Sequence, residues 1–520
     1  MKINFTFSLI VSMFIGNLIA QNSWVPDPTF GDNGITRVNF GTAHSDYPND
    51  MLLLPNNKII IGGITTNSEG YFVSMTQLEE NGQIDTSNFG TDGKVLVHFV
   101  NRDHANVLEL QNDGKILAAG SEATSNASSV VTPSLYRFNP DGTIDTTFGN
   151  EGRAVYRFTG NSTGELYGIK VLQNGKILVA GASTGTKGFG AMRFLPDGQL
   201  DPSYGTGGIA RINYSLGYHS VACLFLGDTA IVMATVDISP TNIVLAMMDS
   251  LGNPYPSFGS NGIVNTGIVG KYNYSGGETL ILTDENKILL SATTPNSSPT
   301  KFSVFRFLLD GTLDTTFGIN GRTDISFSSS DVCYDMKLDY SGKILLVGKG
   351  GGESGLIRLN SDGTPDTTFA PEGKLLIDLS IGNGTNYLTT FIPLANGEIL
   401  GTGYDFTSNS GDYVAVKLTQ NPTGIKETNL VFPKDFVLFQ NYPNPFNPVT
   451  SIKYLIPQSS SVLLKVYDIL GNEVATLVNE FKPVGTYEVE FNAKQLSSGV
   501  YFYKLLVGEY TIVKKMQLIK

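Results

Sequence analysis

Four histidines, His44, His98, His104 and His219, are where proton transfer near neutral pH would have to begin in this 520-residue chain. No His-Glu-x-x-His pair, Gly-x-Ser-x-Gly elbow or phosphate-cradling glycine loop accompanies them. The stretch NRDHAN sets Arg102, Asp103 and His104 together at an expected loop, and GYHS sets Tyr218 beside His219. Such groups could serve a polysaccharide hydrolase or lyase, but solvated loop histidines are the plainer reading. Asp141, Thr143 and Asp145 in DGTIDTTFGNEG offer oxygens at alternate positions, as calcium loops do. Calcium takes six to eight oxygens, and this loop lacks a third carboxylate, so turn chemistry is the expectation. Cys223 and Cys333 sit in apolar, strand-like stretches and read as buried free thiols. No catalytic residue, metal ligand or cofactor is assigned.

A formal net charge of -12 with no Lys/Arg-rich run disfavours nucleic acid, because an acidic surface repels phosphate. The chain opens with Lys2 and then FTFSLIVSMFIGNLIA, ending at Ala20. That apolar run falls short of the ~20 residues a membrane span needs. Residues 1–20 are therefore expected to be a cleaved secretory signal, cut before Gln21 although Leu18 is large for its position. No other stretch is apolar enough to cross a bilayer, so the mature chain is expected outside the cytoplasm with no transmembrane segment.

What must position any site is a repeat. Phe-Gly phrases recur as FGDNG (Phe30), FGTDG (Phe89), FGNEG (Phe148), YGTGG (Tyr204), FGSNG (Phe258), FGING (Phe317) and FAPEG (Phe369), 52 to 59 residues apart. A second marker, such as DGKILAAG from Asp113 or NGKILVAG from Asn174, recurs between them and is degraded to GDTAIVMA at Gly227. Fixed self-similarity at this period means a repeat architecture. One unit, read from just after Gly152, gives RAVYRF, GELYGIKVLQ, KILVAGAS after an Asn174-Gly175 turn, and FGAMRFL. Asn-Gly and Asp-Gly supply the positive φ of tight hairpins, so four antiparallel strands are expected per unit. DGTIDTTFGNEG then reads as the joint between successive blades, with Phe148 plugging the stack and Gly149 and Gly152 reversing the chain. Sheets apolar on both faces must bury one another, and closing them around an axis removes bare ends. The expected fold class is all-β: a seven-bladed β-propeller over 21–419, with an open array as the alternative.

The two markers together resemble delta-60 repeat proteins, secreted bacterial proteins with a D-G-x-x-D-x-x-F-G pattern, over roughly Asp27 to Leu418. The unit around Phe258 departs from the pattern, with Tyr255 where the second Asp belongs. The resemblance implies a propeller-like fold and no defined activity.

After a Pro-containing linker at 420–435 the composition changes. NYPNPFNPVT is irregular backbone, and with FVLFQ before it and six alternating segments after it about seven strands are expected, the pattern of a small Ig-like β-sandwich over 436–520. NYPNPFNPVTSIKYLIP, VYDILGNEVATLV, GTYEVEF, LSSGVYFYKL and KKMQL resemble the C-terminal sorting domain of the type IX secretion system of Bacteroidota. Gly485, Tyr487, Gly499, Tyr501, Lys514 and Lys515 match that family's recurring positions, the two lysines being expected at the surface. The resemblance implies recognition by the outer-membrane translocon and cleavage by a sortase-like protease. For the passenger the leading expectation is a surface binding or adhesion module for an extracellular glycan or protein. A display protein and a polysaccharide hydrolase or lyase are the alternatives. With Trp24 the one tryptophan, aromatic platforms for sugars would come from Tyr or Phe.

Overall fold

A computed structural model describes residues 23–520 except 42–43, 126–129, 161–162, 184–187, 215–220, 237–241, 271–278, 295–297, 378, 380–384, 408–409, 422–436, 442, 457–459, 483–484 and 508–509. The expected export signal and most of the expected linker lie outside the described residues, as do Tyr218 and His219. Among the described residues the secondary structure is strand throughout, apart from a 3-10 turn at Pro371–Gly373. No helix among them is long and apolar enough to cross a membrane. The second strands of the units are buried over most of their length, Ile177–Ser183 and Ile288–Thr294 at every position. That is why they read as continuous apolar runs rather than as alternating ones.

Six four-stranded antiparallel units follow one another over 45–97, 102–155, 164–213, 222–269, 280–325 and 332–377, each built inner strand first. The seventh takes Thr385–Pro393, Ile399–Thr407 and Ser410–Asn421 from the end of the repeat and its outer edge from the beginning. Ser23–Pro26 and Ile35–Val38 both pair antiparallel with Ser410–Asn421.

The expected framing of the unit is corrected by this pairing. Arg153–Val155, the strand after Phe148-Gly149, pairs with Ser134–Tyr136 and so is the outer strand of the sheet the chain has just built. DGTIDTTFGNEG therefore links the third and outer strands of one sheet and is not the joint between two. Its tight turns fold the short outer strand back onto the third strand, and the next long strand, Gly164–Val171, opens a new sheet.

Seven hydrophobic clusters fill the seams between neighbouring units. Leu117, Phe148, Leu166 and Val179 join units two and three. Met233, Phe258, Leu280 and Phe305 belong to the seam groups on either side of unit four. The last cluster joins unit seven to unit one through Phe30, Met51, Ile61, Leu400 and Tyr413, closing the ring. Side chains also bridge that seam, with Thr389 Oγ1 donating to Pro48 O (3.1 Å) and the Ser74 and Tyr413 hydroxyls 2.7 Å apart. Each fully buried Leu, Ile or Phe contributes roughly 1.5–3 kcal/mol, and nearly all are buried against another unit. No unit would stand alone.

The C-terminal residues form a three-stranded sheet (Val437–Leu438, Val449–Ile456, Gly485–Asn492) and a four-stranded one (Glu473–Lys482, Ser460–Tyr467, Gly499–Val507, Tyr510–Leu518). One core, including Ile452, Tyr454, Leu464, Tyr503 and Met516, lies between them. The proline-rich segment is irregular as expected and is tied to that core. Asn441 N–H donates to the Tyr503 hydroxyl (2.8 Å), its Nδ2 donates to Thr450 Oγ1 (2.9 Å), and Phe446 is buried.

Candidate functional site

The second-to-third and outer-to-inner connections emerge at one end of the ring, and the other two kinds emerge at the opposite end. At that opposite end the connections barely vary: the first-to-second turn runs 54–58, 111–115, 172–176, 283–287, 339–343 and 394–398, and is shortened to 227–229 in unit four, where the marker is degraded. The repeated phrase lies there too.

In unit two, Asp141 Oδ1 accepts from Thr143 N–H (2.9 Å), and Asp145 Oδ1 accepts from Thr147 N–H (3.1 Å) and Oγ1 (2.6 Å). Asp145 Oδ2 accepts from Lys115 Nζ (2.8 Å) and Arg137 Nε (2.7 Å). Burial would raise the Asp145 carboxyl, but the hydrogen bonds from Lys115 and Thr147 outweigh it and hold the group well below its ordinary value. Both oxygens are thus engaged, and the residues considered for calcium form a turn locked by two cations. The Arg137 guanidinium lies 4.4 Å over the Phe148 ring, and its Nη1 donates to Pro196 O of unit three (2.6 Å). Gly149 N–H donates to Asp197 O of the same turn (2.7 Å). Gly198 in that turn has φ +89°, and a Cβ there would stand 2.8 Å from Gly149 N, so only glycine fits. The phrase is written again and again because it fastens each unit to the next.

Lys176, Arg193 and Asp201 repeat this triad in unit three, and Lys343, Arg358 and Asp366 in unit six. Unit four lacks it entirely. The register pairs Ile231 with Met248 where unit three pairs Ile177 with Phe194, so Ala230, Met247 and Tyr255 occupy the places of Lys176, Arg193 and Asp201. All three members are replaced together, as expected where one partner alone would leave a charge uncompensated.

At the other end the connections differ from unit to unit: the second-to-third from two residues (68–69) to eight (124–131), and the outer-to-inner from four (98–101) to ten (270–279). NRDHAN lies here on a strand rather than a loop, since Arg102–Leu110 is the inner strand of unit two. Asp103 is buried and accepts from Phe99 N–H (2.8 Å), Val100 N–H (3.0 Å) and the Tyr136 hydroxyl (3.1 Å), so it clamps the chain's entry into the strand. Burial outweighs these bonds and raises its carboxyl. Asp46 and Asp331 hold equivalent turns.

Next to Asp103, His104 Nδ1 stands 3.5 Å from Glu165 Oε1 on the inner strand of unit three. Glu165 also accepts from Asn106 Nδ2 (3.0 Å), Ser121 Oγ (3.2 Å) and the Tyr167 hydroxyl (2.8 Å). Burial would raise this carboxyl, yet His104 and its other donors bring it down to about 2. The His104 ring packs on Tyr71 (5.1 Å), and its Nε2 is shielded from solvent with no partner. His98 is exposed beside Phe72, and His44 contacts Asn67. Among the described residues the histidines thus have separate side-chain partners, His44 with Asn67, His98 with Asp103 (3.8 Å) and His104 with Glu165.

Tyrosines converge instead. Tyr334 and Tyr387, on the inner strands of units six and seven, stack at 5.2 Å. Tyr404 meets Tyr387 edge-on at 4.6 Å and Tyr47 of unit one at 6.0 Å. Burial pushes the Tyr334 and Tyr404 hydroxyls well above their ordinary range. A periodic signal for this mouth was present in the sequence: Tyr47, His104, Glu165 and Tyr387 each stand eleven residues before the marker position held by Lys58, Lys115, Lys176 and Glu398.

Both cysteines are free, Cys333 buried and Cys223 half-buried. A groove of about 290 Å³ runs along Arg153–Val155, but Arg153 is already paired there with Glu122 (2.8 Å). In the C-terminal sheets, Gly485 and Gly499 open strands, and Tyr487 stacks on Tyr454 (5.4 Å). Tyr501 is buried with its hydroxyl on Ser497 O (2.8 Å). Lys515 is exposed as expected. Lys514 is half-buried, because it shares the inward side of its strand with Met516 and Leu518.

Residues 440–520 match the family described as a secretion system C-terminal sorting domain. Residues 54–87, 111–148, 172–204, 286–317 and 341–369 match a beta-propeller domain of unknown function. Unit four, which lacks the triad, falls outside the matched stretches. No curated protein matches the sequence. Among solved structures, a fungal alcohol oxidase in complex with copper is 10% identical, covering 96% of this chain and 100% of its own, with a TM-score of 0.41. A polysaccharide lyase is 9% identical over 73% of this chain and 91% of its own (TM-score 0.42). A protein of unknown function from Bacteroides thetaiotaomicron is 11% identical over 76% of each chain (TM-score 0.33).

Proposed function

Carried to the cell surface or beyond by its type IX sorting domain, the repeat ring is, we propose, a binding module that meets an extracellular ligand at its variable mouth. The observation behind this reading is the division of labour between the two ends. The repeated phrase with its Lys-Arg-Asp fastening occupies one end, whereas connections of changing length and side chains outside the repeat phrase occupy the other. Ligands favour such a concave site with a few placed polar groups. Catalysis is the weaker reading, because a general base must reach the proton it moves, and His104 Nε2 is shielded. In the same reading the passenger spans 21–419, and the 436–520 domain is handled by the translocon and a sortase-like protease.

The test is an array of glycans and extracellular proteins probed with the full chain, its Tyr47→Ala/Tyr404→Ala variant and its Asp141→Ala variant. The mouth variant should lose binding, and the Asp141 variant, altered at the opposite end, should keep it. Loss confined to the Asp141 variant would overturn the assignment of the face. Turnover of a polysaccharide, abolished by His104→Ala, would replace binding with catalysis.

A further inference from the structure

Building on the reading of this mouth as a binding face, we propose that its ligand is an anionic saccharide held at the seam between units six and seven. Tyr334 and Tyr387 stack nearly parallel (9°) across that seam, with Tyr404 edge-on. The Tyr404 hydroxyl donates to the Tyr387 hydroxyl (2.5 Å), so the cluster is a fixed group of apolar rings with a bonded polar rim, which suits a pyranose with its C–H faces and hydroxyl edges. Beside them Lys349 places its Nζ 5.9 Å from the Tyr387 ring centre.

This lysine differs from those of the repeat end. Lys58, Lys115, Lys176 and Lys343 each sit within 2.9 Å of an aspartate. Lys349 is half-buried beside the Tyr387 ring and makes no ion pair among the described residues. A partly desolvated ammonium gains most from an anion that reaches it, so a carboxylate or sulfate on the sugar completes the site. The net charge of -12 means that no long-range field recruits such a ligand. Recognition must be local, and its salt dependence must be that of about one charge pair.

The experiment is calorimetric titration of the full chain with tetragalacturonate, a heparin tetrasaccharide, cellotetraose and a tetra-aspartate peptide, the first two separating carboxylate from sulfate. The expected result is that at least one anionic saccharide binds more tightly than cellotetraose and tetra-aspartate. Lys349→Met should weaken that binding about tenfold without moving the thermal midpoint, and Tyr387→Ala should abolish it. If Tyr387→Ala lowers the midpoint, Tyr387→Phe, which keeps the ring, should still weaken binding. Equal binding of cellotetraose or the peptide, or an unchanged Lys349→Met variant, would overturn the anionic preference and leave the binding face standing. Absence of all saccharide binding, with array binding to a protein still lost in the Tyr47→Ala/Tyr404→Ala variant, would overturn this proposal alone. If that variant kept all array binding, both would fall.

Discussion

Replacing Asp201 with alanine removes the one carboxylate that Lys176 Nζ (2.8 Å), Arg193 Nε (2.6 Å) and Ser203 Oγ (2.7 Å) share in unit three. The Asp201 side chain is 4% exposed, Arg193 12% and Lys176 27%. Deleting one partner of a fully buried pair costs about 3–5 kcal/mol. Lys176 can recover some hydration here, so the expected loss is about 2–4 kcal/mol. Unit four indicates what should relieve it. Installing its whole set, Lys176→Ala, Arg193→Met and Asp201→Tyr, removes the stranded cations together with the acid. The triple variant still loses the Arg193 hydrogen bond to Ser250 O, about 1 kcal/mol. It should therefore be more stable than Asp201→Ala despite carrying three changes. Urea unfolding read by near-UV circular dichroism orders the three proteins. A triple variant no more stable than the single one would refute the argument that stranded cations, rather than the lost bonds, carry most of the cost.

The same carboxylates set the acid limit of the ring. Asp145, Asp201 and Asp366 are held below their ordinary value, so they stabilise the fold above about pH 4, and that stability is lost as the pH falls toward their folded values. Asp46 and Asp103, raised by burial, act in the opposite sense, favouring the fold as they protonate. The thermal midpoint should fall below about pH 4, and more shallowly in Asp201→Ala; equal slopes would count against the assignment. Trp24 packs on Phe369 at 5.0 Å and donates to its carbonyl oxygen (3.3 Å). Trp24→Ala should cost about 3–5 kcal/mol by urea unfolding, and a loss under 1 kcal/mol would mean that the N-terminal strand contributes little. Fused with the export signal, residues 435–520 should carry a reporter to the surface of a type IX host, whereas periplasmic retention would contradict the proposed role of that domain.

The repeat phase, the strand content and the sorting domain were legible because each rests on local residue chemistry: Asx turns, β-branched runs and blocks of motif in order. The partner of Arg153–Val155 was not. A short strand flanked by turns can fold back onto its predecessor or open the next sheet, and only the pairing to Ser134–Tyr136 decides. The role of Phe148 was read correctly as a plug, but its fastening to the next unit through Arg137 and Pro196 depends on contacts between strands far apart in sequence. In NRDHAN the histidine is the conspicuous residue, yet Asp103 beside it clamps the strand's entry through contacts to Phe99 and Val100 that the sequence does not mark. The tyrosines of the mouth were hidden because no two adjoin in sequence, although two of them share the eleven-residue phase with His104 and Glu165. The burial of Lys514 follows from the side of its strand, which the doublet Lys514-Lys515 conceals.

The ring exists only if the beginning of the chain completes its last sheet, and hydrogen exchange measured by mass spectrometry tests that directly. Ile35–Val38 is the outer edge of that sheet, so its amides that donate to Tyr413–Val416 should exchange far more slowly than those of an open chain, while its alternate, outward-facing amides should not. Exchange of every amide of Ile35–Val38 within seconds, while Ile399–Thr407 stays protected, would contradict the closed ring and the mouth that depends on it.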